Sequence, residues 1–306
     1  MKRILLTTSV FLLIVAIGYT QTKKHTETIT KEIKFEKSSA DNVFYLANIY
    51  GNIEVEGYSG STIQIEVNKT ITANTENILQ QGIEEITLDV MEIDDTLIVY
   101  TKGNCVEFSN SEKNKWKNRG SSWGYNCKCS SCDNWYDFKQ NYDYILDYNV
   151  KVPWNTNLYV STMYEGVVKI KGVSGNLSIH NFNGNILLDD ISAKTFVYNV
   201  SGDITINFKN NPTLDSRFYT LSGDIEANFQ PYLSADISFK SFSGEFHTNI
   251  NDLEHVATVA ERTSTSKGKG IKYKLNGKAV MRTKSGGVNL DFETFNGDVF
   301  VKEIDE

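Results

Sequence analysis

The sequence predicts an all-β fold: a β-helix-like solenoid of stacked parallel strands, interrupted by one cysteine-rich loop insertion. Three observations carry the prediction. The first is a short phrase that recurs: apolar, Ser or Asn, Gly, Asn or Asp, apolar, any, apolar. It stands as Val173-Ser174-Gly175-Asn176-Leu177-Ser178-Ile179, and again from Phe182, Val200, Leu221, Phe242 and Phe295. Degenerate copies lie at Gly166, Gly277 and Gly286. A local phrase at regular spacing marks a stacked-repeat architecture. The second is the pattern after each glycine. Leu177 and Ile179, Ile186 and Leu188, Ile204 and Ile206, Ile225 and Ala227, and Val288 and Leu290 occupy the second and fourth positions. Strand side chains alternate faces, so these residues share one buried face. The third is composition: three prolines, abundant Thr, Ile, Val, Tyr and Phe, and glycines at punctuating positions favour strands joined by turns.

Spacing sets the size of the unit. Glycines 166, 175 and 184 are nine apart, Gly202 follows eighteen later, and Gly223 and Gly244 follow at twenty-one each. Nine residues hold one short strand and a tight turn; eighteen to twenty-one make about one coil. Ser or Asn before the glycine favours a turn, and Gly accepts positive φ without steric cost.

The elements follow in order. Residues 1–20 have the layout of a secretory signal: Lys2 and Arg3, an apolar run from Ile4 to Ile17, then a small and polar exit, with cleavage near Thr20 or Gln21. The run is short for a membrane span, so no stable span is expected after cleavage; an uncleaved anchor is the alternative. Residues 21–102 form the N-terminal β segment. Asn48 to Val55 is an early copy of the phrase, and Ile63, Ile65 and Val67 alternate strictly. Glu76 to Gln81 suit one helical turn. Ile86, Leu88 and Val90, an Asp94-Asp95 turn, and Leu97 and Val99 predict a hairpin. Residues 103–141 break the pattern and form a Cys- and Trp-rich insertion, longer than an ordinary loop. Residues 142–306 hold the repeat solenoid, from the alternating strand at Tyr148, Val150 and Val152 to the last phrase at Phe295–Val301.

The insertion holds the one chemically pointed cluster, Cys105, Cys127, Cys129 and Cys132. In an exported chain an even count reads as two disulfides, with three pairings open. A Cys₄ zinc site is the alternative, although only one Cys-x-x-Cys pair exists. Trp116, Trp123, Tyr125, Trp135 and Tyr136 share the segment. They form either an exposed binding surface or a small aromatic core around the cysteines. The Asn or Asp after each glycine reads as a turn-capping ladder rather than a calcium site, because the dense glycine nonapeptide of calcium β-rolls is missing. Outward strand positions, including Ser178, His180, Thr205, Asn207, Glu226, Asn228, His247 and Asn249, predict a polar tiled face. The four histidines show no catalytic or metal spacing. Arg217, Arg262 and Arg282 are too far apart in sequence to mark a polysaccharide-cleaving site. A net charge of −7 argues against nucleic acid. No cofactor is expected.

The run Leu146 to Pro153, then Asn157-Leu158-Tyr159-Val160-Ser161, the Gly-Asn/Asp-Ile repeats and the opening Gly51 to Tyr58 together resemble the bacterial putative-adhesin family of β-strand repeat proteins. The resemblance covers roughly residues 40 to 306. It implies a right-handed β-solenoid, export, and an adhesin-like role at the envelope, and it carries over no catalytic residues. The expected function is therefore non-catalytic: binding or structural work in the periplasm, at the cell surface or outside, toward an envelope protein or a glycan. The alternatives are a periplasmic sensing or scaffold protein for a membrane signalling partner and, third, a polysaccharide-active β-helix enzyme.

Overall fold

Two-residue alternation turns nearly every segment into a strand with one apolar face, and two such faces close on each other. The computed structural model describes residues 22–37, 39–103, 106–110, 123–127, 141–256, 261–264, 271–274 and 278–304, and only the backbone at 127, 261–264 and 271–274. A ten-stranded first sheet and an eleven-stranded second sheet hold the fold, and their inward side chains merge into one core from Phe44 to Val301.

Each rung pairs one strand of the second sheet with one of the first. In spatial order the rungs are β6 (Thr96–Lys102) with β9 (Tyr142–Pro153), then β2 (Val43–Asn48) with β3 (Ile53–Tyr58), then β10 (Asn157–Thr162) with β11 (Val168–Lys171). Next come β12 (Leu177–Asn183) with β13 (Ile186–Ile191), β14 (Thr195–Ser201) with β15 (Ile204–Phe208), and β16 (Ser216–Ser222) with β17 (Ile225–Phe229). The stack ends with β24 (Val288–Asn296) and β25 (Val299–Glu303), then β18 (Ala235–Lys240) and β19 (Phe246–Thr248). Strands of neighbouring rungs pair in parallel throughout.

The rungs are not stacked in chain order. The rung at 43–58 lies between the rungs at 96–153 and 157–171, and the C-terminal rung at 288–303 lies between those at 216–229 and 235–248. Chain reach permits both hops. Skipping a rung spans about 10 Å, and the Trp154–Thr156 and Gln230–Ser234 links cover that distance when extended.

The N-terminal end is closed. β4 (Ile63–Ala73) runs antiparallel to β9, β1 (Lys23–Ile33) antiparallel to β4, and β5 (Thr87–Ile93) antiparallel to β6, the expected hairpin. α1 (Glu76–Glu85) is longer than the single turn expected. Thr75 caps it by accepting from the Ile78 N–H, Glu76 complements its positive end, and Leu79 and Gly82 bury against the end of the core. Its last turn has no basic residue. Lys69 of β4, only 3% exposed, serves instead, donating to the Ile83 carbonyl at 2.8 Å and pairing with Glu27 at 2.9 Å. At the other end β23 (Ala279–Thr283) runs antiparallel to β18, and β20 (Leu253–Val256) antiparallel to β23. β21 (Glu261–Ser264) and β22 (Ile271–Lys274) pair with each other, as do β7 (Val106–Asn110) and β8 (Trp123–Cys127).

The turn between the two strands of a rung explains the repeated phrase. At Gly202, φ is 120°, and a Cβ there would stand 2.4 Å from the Gly184 carbonyl oxygen of the rung below. Only glycine lets the rungs approach so closely. Inside the same corner Asn199, fully buried, donates to the carbonyls of Gly184 at 3.0 Å and Gly202 at 2.9 Å. Asn181 and Asn48 do the same on their rungs. On the outside, the Asn185 side chain accepts from the Asp203 N–H, Asp203 from Asp224, Asp224 from Asp298, and Asp298 from Glu245, all at 2.8–3.0 Å. The Asn/Asp position is thus a turn-capping ladder that satisfies backbone donors between rungs.

Candidate functional site

Outward positions on the second sheet do not follow the polar pattern expected of them. Cross-strand register aligns Tyr45, Tyr159, Ser178 and Phe196 in one row, and Ser161, His180, Tyr198 and Tyr219 in the next. The rings pack against one another along the solenoid, some stacked and some tilted. Tyr45 and Tyr159 are 4.3 Å apart, Tyr159 and His180 5.1 Å, and Tyr198 and Tyr219 4.8 Å with planes 3° apart. His180 is only 8% exposed, so it belongs to this stack and not to an exposed polar face, a correction to the sequence reading. Ser178 shares its face, while Thr205, Asn207, Glu226, Asn228, His247 and Asn249 lie on the outer face of the first sheet, half-buried or exposed. The aromatic rows escape the phrase-based reading because they precede each glycine. Their signal is the parity of Phe196, Tyr198 and Val200 and of Arg217, Tyr219 and Leu221.

Past Tyr219 the same face turns ionic. Arg217 donates to Glu293 at 2.8 Å, Lys240 to Glu293 at 2.9 Å, Lys278 to Asp291 at 2.6 Å, and Arg282 to Asp236 at 2.7 Å. Burial works to raise the Glu293 carboxyl, but Lys240, Lys278 and Arg217 together outweigh it and hold it below the usual range. Arg217 and Arg282 are thus engaged in separate ion pairs; the side chain of Arg262 lies outside the described residues.

The β7–β8 hairpin lies against the other end of this face. Phe108 meets Tyr45 edge-on at 5.4 Å and stacks on Tyr100 at 4.7 Å and on Trp123 at 5.9 Å. Tyr125 donates to the carbonyls of Thr101 at 2.8 Å and Ala47 at 3.0 Å, and burial pushes its phenol well up. Of the expected aromatic binding residues, Tyr125 has its hydroxyl committed to the scaffold and Trp123 is half-buried beside Phe108. Trp116, Trp135 and Tyr136 lie outside the described residues, as do Cys105, Cys129 and Cys132 and the side chain of Cys127. The disulfide and zinc expectations therefore fall on residues outside the described ones. Residues 1–20, expected to be a secretory signal, also lie outside them. Among the described residues no helix is long and apolar enough to cross a membrane.

On the first sheet a groove of about 800 Å³ spans β1, β4, β9, β3, β11 and β13. Many of its charges pair within it: Lys169 with Glu54 at 2.7 Å, Lys171 with Asp189 at 3.6 Å, and Lys151 with Glu56 at 3.8 Å. Such half-exposed pairs contribute little to stability.

Architecture and surface together define an all-β, two-sheet protein with long parallel sheets, in the manner of a solenoid, and a ring-lined outer face. Residues 155–302 match the family model of Toastrack DUF4097. No curated protein matches the chain. Among solved structures it is similar to a putative cell adhesion protein from Clostridium sporogenes, at 13% identity and TM-score 0.42 over 92% of this chain and 100% of that one. It is also similar to a putative adhesin from Parabacteroides merdae, at 10% identity and TM-score 0.26 over 92% of this chain and 97% of that one. A third is a putative lipid binding protein from Parabacteroides distasonis, at 11% identity and TM-score 0.25 over 91% and 97%.

Proposed function

We propose that this protein is an exported, non-catalytic binding protein of the cell envelope, adhesin-like in action, with the outer face of its second sheet as the contact surface. The observation that carries the reading is the in-register array of rings on that face, with Phe196, Tyr198 and Tyr219 half-buried there. Rings held at strand spacing give a rigid platform on which sugars or apolar side chains pack at small entropic cost. The N-terminal leader supports export. The engagement of the ladder carboxylates and of Arg217 and Arg282 in structural bonds supports a non-catalytic role.

The test is attachment of the purified protein to a glycan array and to envelope fractions, compared with Phe196→Ser and Tyr219→Ser variants. Attachment should fall at least about tenfold in the variants, a loss of about 1.4 kcal/mol. Unchanged attachment in folded variants would sink the reading. Protease accessibility on intact cells separates a surface adhesin, which is cleaved, from a periplasmic scaffold for a membrane signalling partner, which is protected.

A further inference from the structure

Five apolar residues align along the margin of the second sheet, where each rung reaches its glycine turn. In spatial order they are Phe182, Val200, Leu221, Phe295 and Phe242. Phe182 is 52% exposed, Leu221 40%, Phe295 45% and Phe242 78%. The last two phenylalanines stack at 4.7 Å with planes 3° apart. Core packing does not require them, because the buried positions of the phrase are the second and fourth after the glycine. Yet each phrase begins with a large apolar residue, and together they show on the order of 400 Å² of apolar surface.

A second column runs parallel to this ridge on the far side of the same turn: Asn185, Asp203, Asp224, Asp298 and Glu245. All but Asp298, which is half-buried, are exposed. The edge therefore presents an apolar line beside a column of one amide, Asn185, and four carboxylates.

We infer that this edge docks an amphipathic, basic α-helix of a partner polypeptide, its apolar seam on the ridge and its Lys or Arg side chains over the carboxylates. This rests on the second sheet being the contact surface and names its partner. Spacing selects the helix. Rungs repeat every ~4.8 Å, and one helical turn rises about 5.4 Å. A helix laid along the solenoid thus offers one apolar residue per rung and drifts only about 0.6 Å at each. Same-face residues of an extended strand lie about 6.8 Å apart and lose register after one rung. Charge selects the basic flank: the carboxylate column repels anionic lipids and acidic glycans, and a neutral glycan gains nothing from it.

The experiment is fluorescence anisotropy of a labelled Leu/Lys helix of about five turns with the full-length protein. We expect saturable binding, weakened at least about tenfold by the combined Phe182→Ser, Phe295→Ser and Phe242→Ser changes. Combined Asp203→Asn, Asp224→Asn and Asp298→Asn changes should weaken it several-fold and flatten its salt dependence. These changes keep the ladder oxygen, as Asn185 shows. Equal affinity for the serine variant, or for a peptide with the same composition and a scrambled seam, overturns the inference. So does a neutral oligosaccharide whose binding the serine changes abolish, because the ridge is then a glycan site. If the peptide does not bind while Phe196→Ser and Tyr219→Ser still abolish attachment, the binding face stands and the helical partner falls.

Discussion

At Gly202 the repeated phrase becomes a physical requirement. The added Cβ of alanine would press on both the oxygen and the carbon of the Gly184 carbonyl, at 2.4 and 2.6 Å, with φ at 120°. The neighbour is backbone held in a ladder and cannot rotate away. Gly202→Ala should therefore cost on the order of 3 kcal/mol or more, measured as a shift in the urea midpoint. Gly172 is the control. Its φ is 67°, and its nearest neighbour would be 3.6 Å away, so Gly172→Asn should cost less than about 1 kcal/mol. Equal losses at the two positions would refute this account of the turn. The positions after each glycine were readable from sequence, and Leu177, Ile186, Ile204 and Ile225 are all buried. His180 was not. Alternation shows which way a side chain points but not what lies beyond it, and here Tyr159 stacks on the imidazole.

At the scale of the element, β9 and the β7–β8 hairpin concentrate buried phenols. Tyr148 and the Thr101 hydroxyl are 2.6 Å apart, the Tyr125 hydroxyl is bound by two carbonyls, and Tyr142 donates to Glu85 of α1 at 2.5 Å. Burial raises Tyr50 to about 12 and pushes Tyr125, Tyr142, Tyr144, Tyr148 and Tyr159 up as well. A phenol whose folded value exceeds its unfolded value near 10 stabilises the fold fully below that pH and loses the contribution as pH rises toward the folded value. Stability should thus be insensitive to these groups near neutrality and decline above about pH 10, by about 1.4 kcal/mol per pH unit for each phenol kept neutral. Phenolate absorbance should then appear together with loss of native circular dichroism. Phenolate formation in a fully native protein would show that these hydroxyls reach solvent. Sequence pattern marked the strand of Tyr148 but not this network, whose partners are 47 and 57 residues away in the chain.

Across the whole molecule, the order of rungs is the feature least legible from sequence. Most rungs carry the same glycine, the same capping oxygen and the same pair of apolar residues, so local rules alone do not fix which of them stack together. Short links that reach across one rung leave two arrangements open, in chain order or with a rung intercalated. The side chains favour the latter at the C-terminus. Phe292 stacks on Phe218 at 5.1 Å, and Val299 and Val301 are fully buried between β17 and β19. Arg217 and Lys240, from the rungs on either side, both bind Glu293. The last strands of the chain are consequently interior, paired on both edges, where a terminus ordinarily frays. Native-state hydrogen exchange should find the Val299 and Val301 amides as protected as those of Ile204 and Ile206 in the middle of the stack. Removal of residues 288–306 should unfold or shift the rung at 235–248 as well, because β18 then loses β24 and β19 loses β25. Rapid exchange at Val299 and Val301 in an otherwise protected protein would mean that the final rung docks only loosely, and that the stack is held together by the order of the chain.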